Sequence, residues 1–342
     1  MSVLGKLLSP VLYHGGVYRR RWRNAEPPVR GIALVYHRIA APAGRGEPPG
    51  FGVEQGIPAD VFESQIRFMK RHFRPVRAAD LAQGETGGDP CFAVTFDDGY
   101  ADNLEFACPV LERQGVPATI FLTTDWMGTD RRFWWEQLGA LLRETTVPRL
   151  ALQELDPVLR GRWDLPDDLP LGNEAERERA HYWISMGLMR TPPAEIDPTL
   201  ERIASALEVP LRREERDVPM LDWEGVRALC GRGFEAGAHG RTHANLGLAP
   251  DAAQEVRASV DRVAEETGRS PELFAYPYGG PEHRSPEVVE AVRQAGCLAA
   301  FTTDEGAVRP DSDRFELPRA GLTRGLDIAC AYQIDAVVRG SA

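Results

Sequence analysis

The chain has 342 residues with 43% hydrophobic and 27% charged side chains, enough for one large α/β barrel or two smaller soluble domains. Its formal net charge of -11 argues against a general nucleic-acid binder, because phosphate-backbone binding needs concentrated positive charge. Five scattered cysteines, Cys91, Cys108, Cys230, Cys297 and Cys330, form no CxxC pair and read as free thiols in a reducing compartment. No run is apolar enough for a signal peptide or a bilayer span, so the expected location is cytoplasmic.

Residues 1–30 read as an amphipathic basic segment. Leu4, Leu7, Leu8, Val11 and Leu12 recur at roughly helical spacing, and Arg19, Arg20, Arg21 and Arg23 follow around Trp22. Apolar residues beside a basic cluster suit peripheral contact with the inner face of a membrane through residues 1–24. The alternative is a short helix packed on the rest of the protein with its basic end exposed. Pro10 and the Gly15-Gly16 pair interrupt the helical pattern.

Residues 31–342 read as one α/β unit. Gly31–Tyr36 (GIALVY) is a buried strand with His37 at its C-terminal end, and residues 40–59 form a Pro/Gly-rich loop. Asp60 and Glu63 stand at capping-box spacing before a helix with Phe62, Ile66, Met69 and Phe73 on one face. Strand Cys91–Phe96 runs into Asp97-Asp98-Gly99, a helix over 103–114 is closed by Gly115, and strand Ala118–Leu122 follows. The alternation then breaks for a largely helical insertion at about 126–222, which opens on Phe133, Trp134 and Trp135. Its tryptophans either stack on sugar rings or anchor the insertion. The pattern resumes with a helix near 223–229, a strand at 234–236, His239 and His243, and a helix over 251–267. A strand at 273–276 leads into Pro277-Tyr278-Gly279-Gly280, Ser285-Pro286 open another helix, and a strand at 297–302 follows. Alternating strands and helices argue for parallel βα units in a barrel. The polar residues fall just after strand ends, where barrel active-site loops lie.

His239 and His243 in HGRTH can put two imidazoles on one side of a helical turn, which suits a zinc-like ion with an open position for water. Histidines at that spacing also cap turns or sit on wet faces. Asp97 and Asp98 end a buried strand, and neighbouring side chains there point in different directions. One carboxylate can then bind a metal while the other holds or deprotonates the attacking water. Asp-Gly also makes ordinary turns, but two acids beside a buried strand carry a desolvation cost unless paired. Asp102 fits a helix cap and His283 a cleft rim, whereas His14, His72 and His181 have no evident chemical partner.

TFDDG (95–99), HGRTH (239–243) and YPYG (276–279), in that order, resemble the signature of the NodB-type polysaccharide deacetylases, carbohydrate esterase family 4. The resemblance spans about 31–320 apart from the insertion and implies a distorted (β/α)7-type barrel with metal-dependent N-deacetylase activity. It also implies Asp98, His239 and His243 as metal ligands, Asp97 as catalytic base and the Tyr278 N–H as oxyanion donor. One divalent metal is expected: Zn2+ by donor type, with Co2+, Ni2+ or Mn2+ open.

The chain departs from the family pattern twice. Its C-terminal segment lacks the usual late-strand histidine acid, and His37 in LVYHRI offers a replacement, resembling the permuted poly-N-acetylglucosamine deacetylases. The alternative for His37 is a hydrogen-bonded strand-end histidine. Phe274-Ala275 stand where an arginine partner of the catalytic aspartate is expected, and Arg319 in LPRAG either supplies that charge or is a surface loop arginine.

The leading expectation is hydrolysis of an N-acetyl group on an amino sugar of a polysaccharide precursor or a lipid- or nucleotide-linked glycan. The alternatives are an N-deformylase of a lipid-linked amino sugar, an inactive barrel that binds glycans or a protein, and a structural protein whose histidines only pack. The expected partner is an N-acylated amino sugar, not nucleic acid.

Overall fold

The structure is a computed structural model that describes residues 12–26, 28–42, 51, 55–87, 90–151, 166–214, 216–322 and 327–340. Its centre is a parallel barrel. Strands β1 (Gly31–Tyr36), β5 (Cys91–Phe96), β6 (Ala118–Leu122), β9 (Glu235–Ala238), β10 (Leu273–Ala275), β11 (Ala299–Glu305) and β12 (Leu317–Gly321) lie in the order β1-β12-β11-β10-β9-β6-β5. Pairing of β1 with β5 closes the ring, from Gly31 opposite Cys91 to Tyr36 opposite Phe96. This is the expected distorted (β/α)7 barrel. The short strands β2 (Ile39–Ala40) and β3 (Ile57–Pro58) pair with each other, and β4 (Arg74–Pro75) adds to the outside of β5.

Period-two alternation sorts the barrel side chains. Ile32, Leu34, Tyr36, Phe92, Val94, Phe96, Ile120 and Leu122 pack with the surrounding helices, while Ala33, Ala93, Phe121, Ala275, Phe301 and Leu317 form a second cluster in the barrel. Helix α3 (Ala78–Gln83) adds Ala79 and Leu81 to that cluster and closes one end. Truncating a filled position such as Phe301 to Ala costs about 3–5 kcal/mol in cores of this kind.

Between α1 (Val17–Arg23) and α3 runs α2 (Ala59–His72), which buries Phe62, Ile66, Phe68 and Met69. It starts one residue before Asp60, with Pro58 at the cap position and no side-chain cap. The capping box expected at Asp60 is therefore absent, because Asp60 already lies inside the first turn. Most of the apolar residues of the N-terminal segment, Leu4, Leu7, Leu8 and Val11, lie outside the described residues. In α1, Tyr18 and Trp22 are buried, Trp22 rests on Phe73 and His72, and the arginines face outward. No described helix is long and apolar enough to cross a membrane.

The helix expected at 103–114 opens with a π-helical turn, Asn103–Ala107, and continues as α4 (Cys108–Gln114). The insertion contributes α5 (Trp134–Glu144), the antiparallel pair β7–β8 (Arg149–Ala151 and Asp168–Pro170), α6 (Glu174–Leu188) and α7 (Pro193–Ala206). Leu138, Leu142, Ile184, Leu188, Leu200 and Ile203 form its own apolar cluster. Helices α8 (Trp223–Gly231), α9 (Ala252–Thr267), α10 (Pro286–Gln294) and α11 (Asp327–Arg339) complete the outer layer.

Candidate metal-dependent hydrolytic site

Every expected site residue lies at or just beyond the C-terminal end of a barrel strand, apart from Arg319 within β12. Asp98 follows β5, and His239 and His243 follow β9. Their ligand atoms all lie within 4.8 Å of one another and all three residues are buried. The His239 and His243 Nε2 atoms stand 3.5 and 3.3 Å from Asp98 Oδ1. His239 Nδ1 lies 2.7 Å from the Ala275 carbonyl. That acceptor calls for the proton on Nδ1 and leaves the Nε2 lone pair facing the cluster.

Asp98 Oδ1 is buried and takes no hydrogen bond among the described residues. An acceptor oxygen stranded between two imidazole nitrogens is costly without a cation, so the donor set fits a divalent metal. The histidines do not share a helical turn, as their spacing allowed. HGRTH is an irregular loop, with Gly240 and His243 at φ 74° and 61°, and a left-handed residue after His239 breaks any helix.

Asp97 points to a different partner. Arg319 is 1% exposed, and its Nη1 and Nη2 donate to Asp97 Oδ1 and Oδ2 at 2.7 and 2.6 Å. It also donates from Nε to the Thr302 carbonyl at 2.7 Å and from Nη1 to Thr95 Oγ1 at 3.1 Å. Arg319 is thus a core residue of β12 and not a surface arginine. A fork-to-fork pair of this kind offsets the desolvation that burial imposes on both ions. Burial pushes the Asp97 carboxyl up, but Arg319, followed by His239, outweighs it and holds the group below its ordinary value.

His37 lies level with Asp97. Tyr36 pairs with Phe96, and the Asp97 N–H donates to the Tyr36 carbonyl at 2.9 Å. Burial is the largest influence on Asp97, Asp98 and His243, and the charge of His37 acts on all three.

Tyr278 has φ 62°, and no acceptor among the described residues takes its N–H. The following Gly279 could carry no side chain, since a Cβ there would lie 2.5 Å from the Thr303 nitrogen. The Tyr278 ring packs edge-on to His243 at 4.7 Å between centroids. The His283 ring packs against Tyr278 at a tilt, 5.2 Å between centroids, and is buried rather than on the rim.

Three features lay outside the sequence reading. The Asp102 side chain caps no helix; its Oδ2 accepts from Arg38 Nε at 2.9 Å in a buried pair, and burial raises the Asp102 carboxyl to about 6. Glu136, Tyr100 and Arg216 form a second, partly buried group. A recess of about 210 Å³ opens beside His243 and Tyr278, walled by Trp126, Arg131, Trp134 and Trp135. The run of aromatics was its only sequence signal.

Fold and site together define a parallel barrel with a buried Asp-His-His cluster that could hold a metal ion, beside an arginine-held carboxylate. The sequence model described as polysaccharide deacetylase matches residues 84–148 and 180–300. The chain belongs to the polysaccharide deacetylase family, with NodB homology. It is 29% identical to YxkH of Bacillus subtilis (strain 168) over 147 residues, 40% of this chain and 49% of YxkH, so it spans about half the length of that curated relative. Among solved structures, Streptococcus pyogenes deacetylase PplD in complex with acetate superposes with a TM-score of 0.51 at 14% identity, covering 86% of this chain and 92% of that one. IcaB from Ammonifex degensii gives a TM-score of 0.53 at 17% identity, covering 90% and 97%.

Proposed function

We propose that the protein hydrolyses an N-acyl amide, by preference N-acetyl, on an amino sugar of a polysaccharide precursor or a lipid- or nucleotide-linked glycan. The observation that carries this reading is the Asp98-His239-His243 donor cluster beside the Arg319-held Asp97. A divalent metal, Zn2+ by donor chemistry, when bound there polarises an amide carbonyl and lowers the pKa of water.

The protein groups divide the remaining work. Asp97, kept ionised and oriented by Arg319, accepts the proton of the attacking water. The Tyr278 N–H donates to the oxyanion that forms on the carbonyl oxygen. His37, level with Asp97 at the end of the neighbouring strand, gives a proton to the departing amine nitrogen. Trp126 and Trp135 wall the recess where a sugar would lie. Exposed Arg19, Arg20 and Arg23 favour an anionic surface, with a cytoplasmic setting as the accompanying proposal, although Trp22 packs inward and offers no membrane anchor.

The test is a metal-replete assay on free, nucleotide-linked and lipid-linked N-acetyl and N-formyl hexosamines, with products identified by mass. Asp97→Asn should abolish turnover and keep bound metal, while His239→Ala should lose metal. No product from any substrate, or an active Asp97→Asn, would overturn the reading.

A further inference from the structure

Four consecutive residues where the insertion enters α5 reach all three polar loops of the site. Glu136 accepts from Tyr100 Oη at 3.0 Å, which ties the turn to the Asp97-Asp98 loop, and Arg216 Nη2 donates to the same oxygen at 2.6 Å. Phe133 and Trp135 stack at 4.3 Å, and their rings lie 5.7 and 4.9 Å from His243. Trp134 Nε1 donates to Tyr278 Oη at 2.7 Å. Trp134 also packs against both the barrel core and the insertion core, so its indole joins the two bodies.

These contacts coincide with backbone strain. Among the described residues, the non-glycine positions at positive φ are Asp98, Glu208, His243 and Tyr278, and three of them belong to the site. Such conformations are unfavourable for residues with a Cβ and persist only where surrounding structure holds them. Each of the three sits on a loop that the 133–136 turn touches.

We propose that this turn is a clamp supplied by the insertion, and that Trp134 is a positioning residue. Its indole N–H latches the Tyr278 ring and keeps the Tyr278 backbone N–H turned toward the reacting carbonyl. The catalytic consequence rests on the hydrolase reading; the latch itself does not. Direct stacking of Trp134 on the sugar is the competing role, and it would act on substrate binding rather than on turnover.

The test uses the full chain with metal bound. Trp134→Phe removes the N–H and keeps an aromatic ring. Loss of one neutral hydrogen bond should lower kcat about five- to tenfold with KM within about twofold. Metal content should stay unchanged, Tm should fall by no more than about 2–4 °C, and amide hydrogen exchange over 276–280 should quicken. Tyr278→Phe should give the same loss, and the double variant no further loss. An unchanged kcat, losses that multiply, or an effect confined to KM overturns the latch. The exchange measurement separates the two ideas. Faster exchange in Trp134→Phe, with no wild-type turnover of any substrate, keeps the latch and sinks the hydrolase reading; unchanged exchange sinks the latch whatever the activity.

Discussion

Replacing Arg319 with methionine keeps much of the side-chain length and removes the charge. The side chains of Arg319 and Asp97 are 0% and 2% exposed, so bulk solvent does not replace the two lost bonds. Removing one partner of such a pair costs about 3–5 kcal/mol, because the other charge stays buried and uncompensated. The folded protein can escape part of that cost by protonating Asp97. Burial already pushes this carboxyl upward, and Arg319 is the foremost group holding it down. Its value should therefore rise in Arg319→Met, and the acidic limb of the kcat/KM profile should move to higher pH. At neutral pH the variant loses a working base, a fall of about 10²- to 10⁴-fold that alkaline conditions partly restore. Arg319→Lys keeps a charge without the fork and should fall between. The assay is acyl release from an N-acylated hexosamine between about pH 5 and pH 10, with metal content and melting recorded for each variant. A folded, metal-loaded Arg319→Met with the wild-type acidic limb would refute the argument.

His37→Gln should keep metal content and substrate binding while kcat drops about 10²- to 10⁴-fold, because an amine cannot leave as an anion; near-normal kcat would move the acid role elsewhere. His181, on α6, is held down to about 4, chiefly by burial, and Trp135 carbonyl oxygen is its 3.3 Å neighbour. The native imidazole is then neutral, whereas the unfolded chain takes up a proton below about 6.5. Stability from this group is present above that pH and is lost as pH falls to about 4, on the order of 3 kcal/mol. His181→Leu should flatten that decline in urea midpoints measured on both sides of the window; an unchanged slope would show that His181 does not carry it.

What could be read along the chain was what is encoded locally. The apolar runs of β1, β5 and β6 lie where the sequence put them, because a buried strand needs consecutive apolar residues whatever its neighbours. The Asp-His-His donor cluster was legible because Asp98, His239 and His243 sit in short motifs at strand ends, and strand ends in a parallel barrel converge on one face. Helix formation at HGRTH failed because periodicity cannot see a left-handed backbone residue. Tertiary structure alone decided the rest. Arg319 meets Asp97 across 222 residues, and His37 stands level with the same aspartate, because cross-strand hydrogen bonds set the register when β1 closes the ring. Asp102 stands at the N-cap position, but its side chain turns to Arg38, since a buried guanidinium needs a counter-charge more than the helix end needs a cap. The tryptophans of the insertion looked alike in sequence as sugar platform or packing anchor. Only the folded chain shows one of them bonded to Tyr278, because such a contact depends on how two separate cores dock, a property no local pattern records.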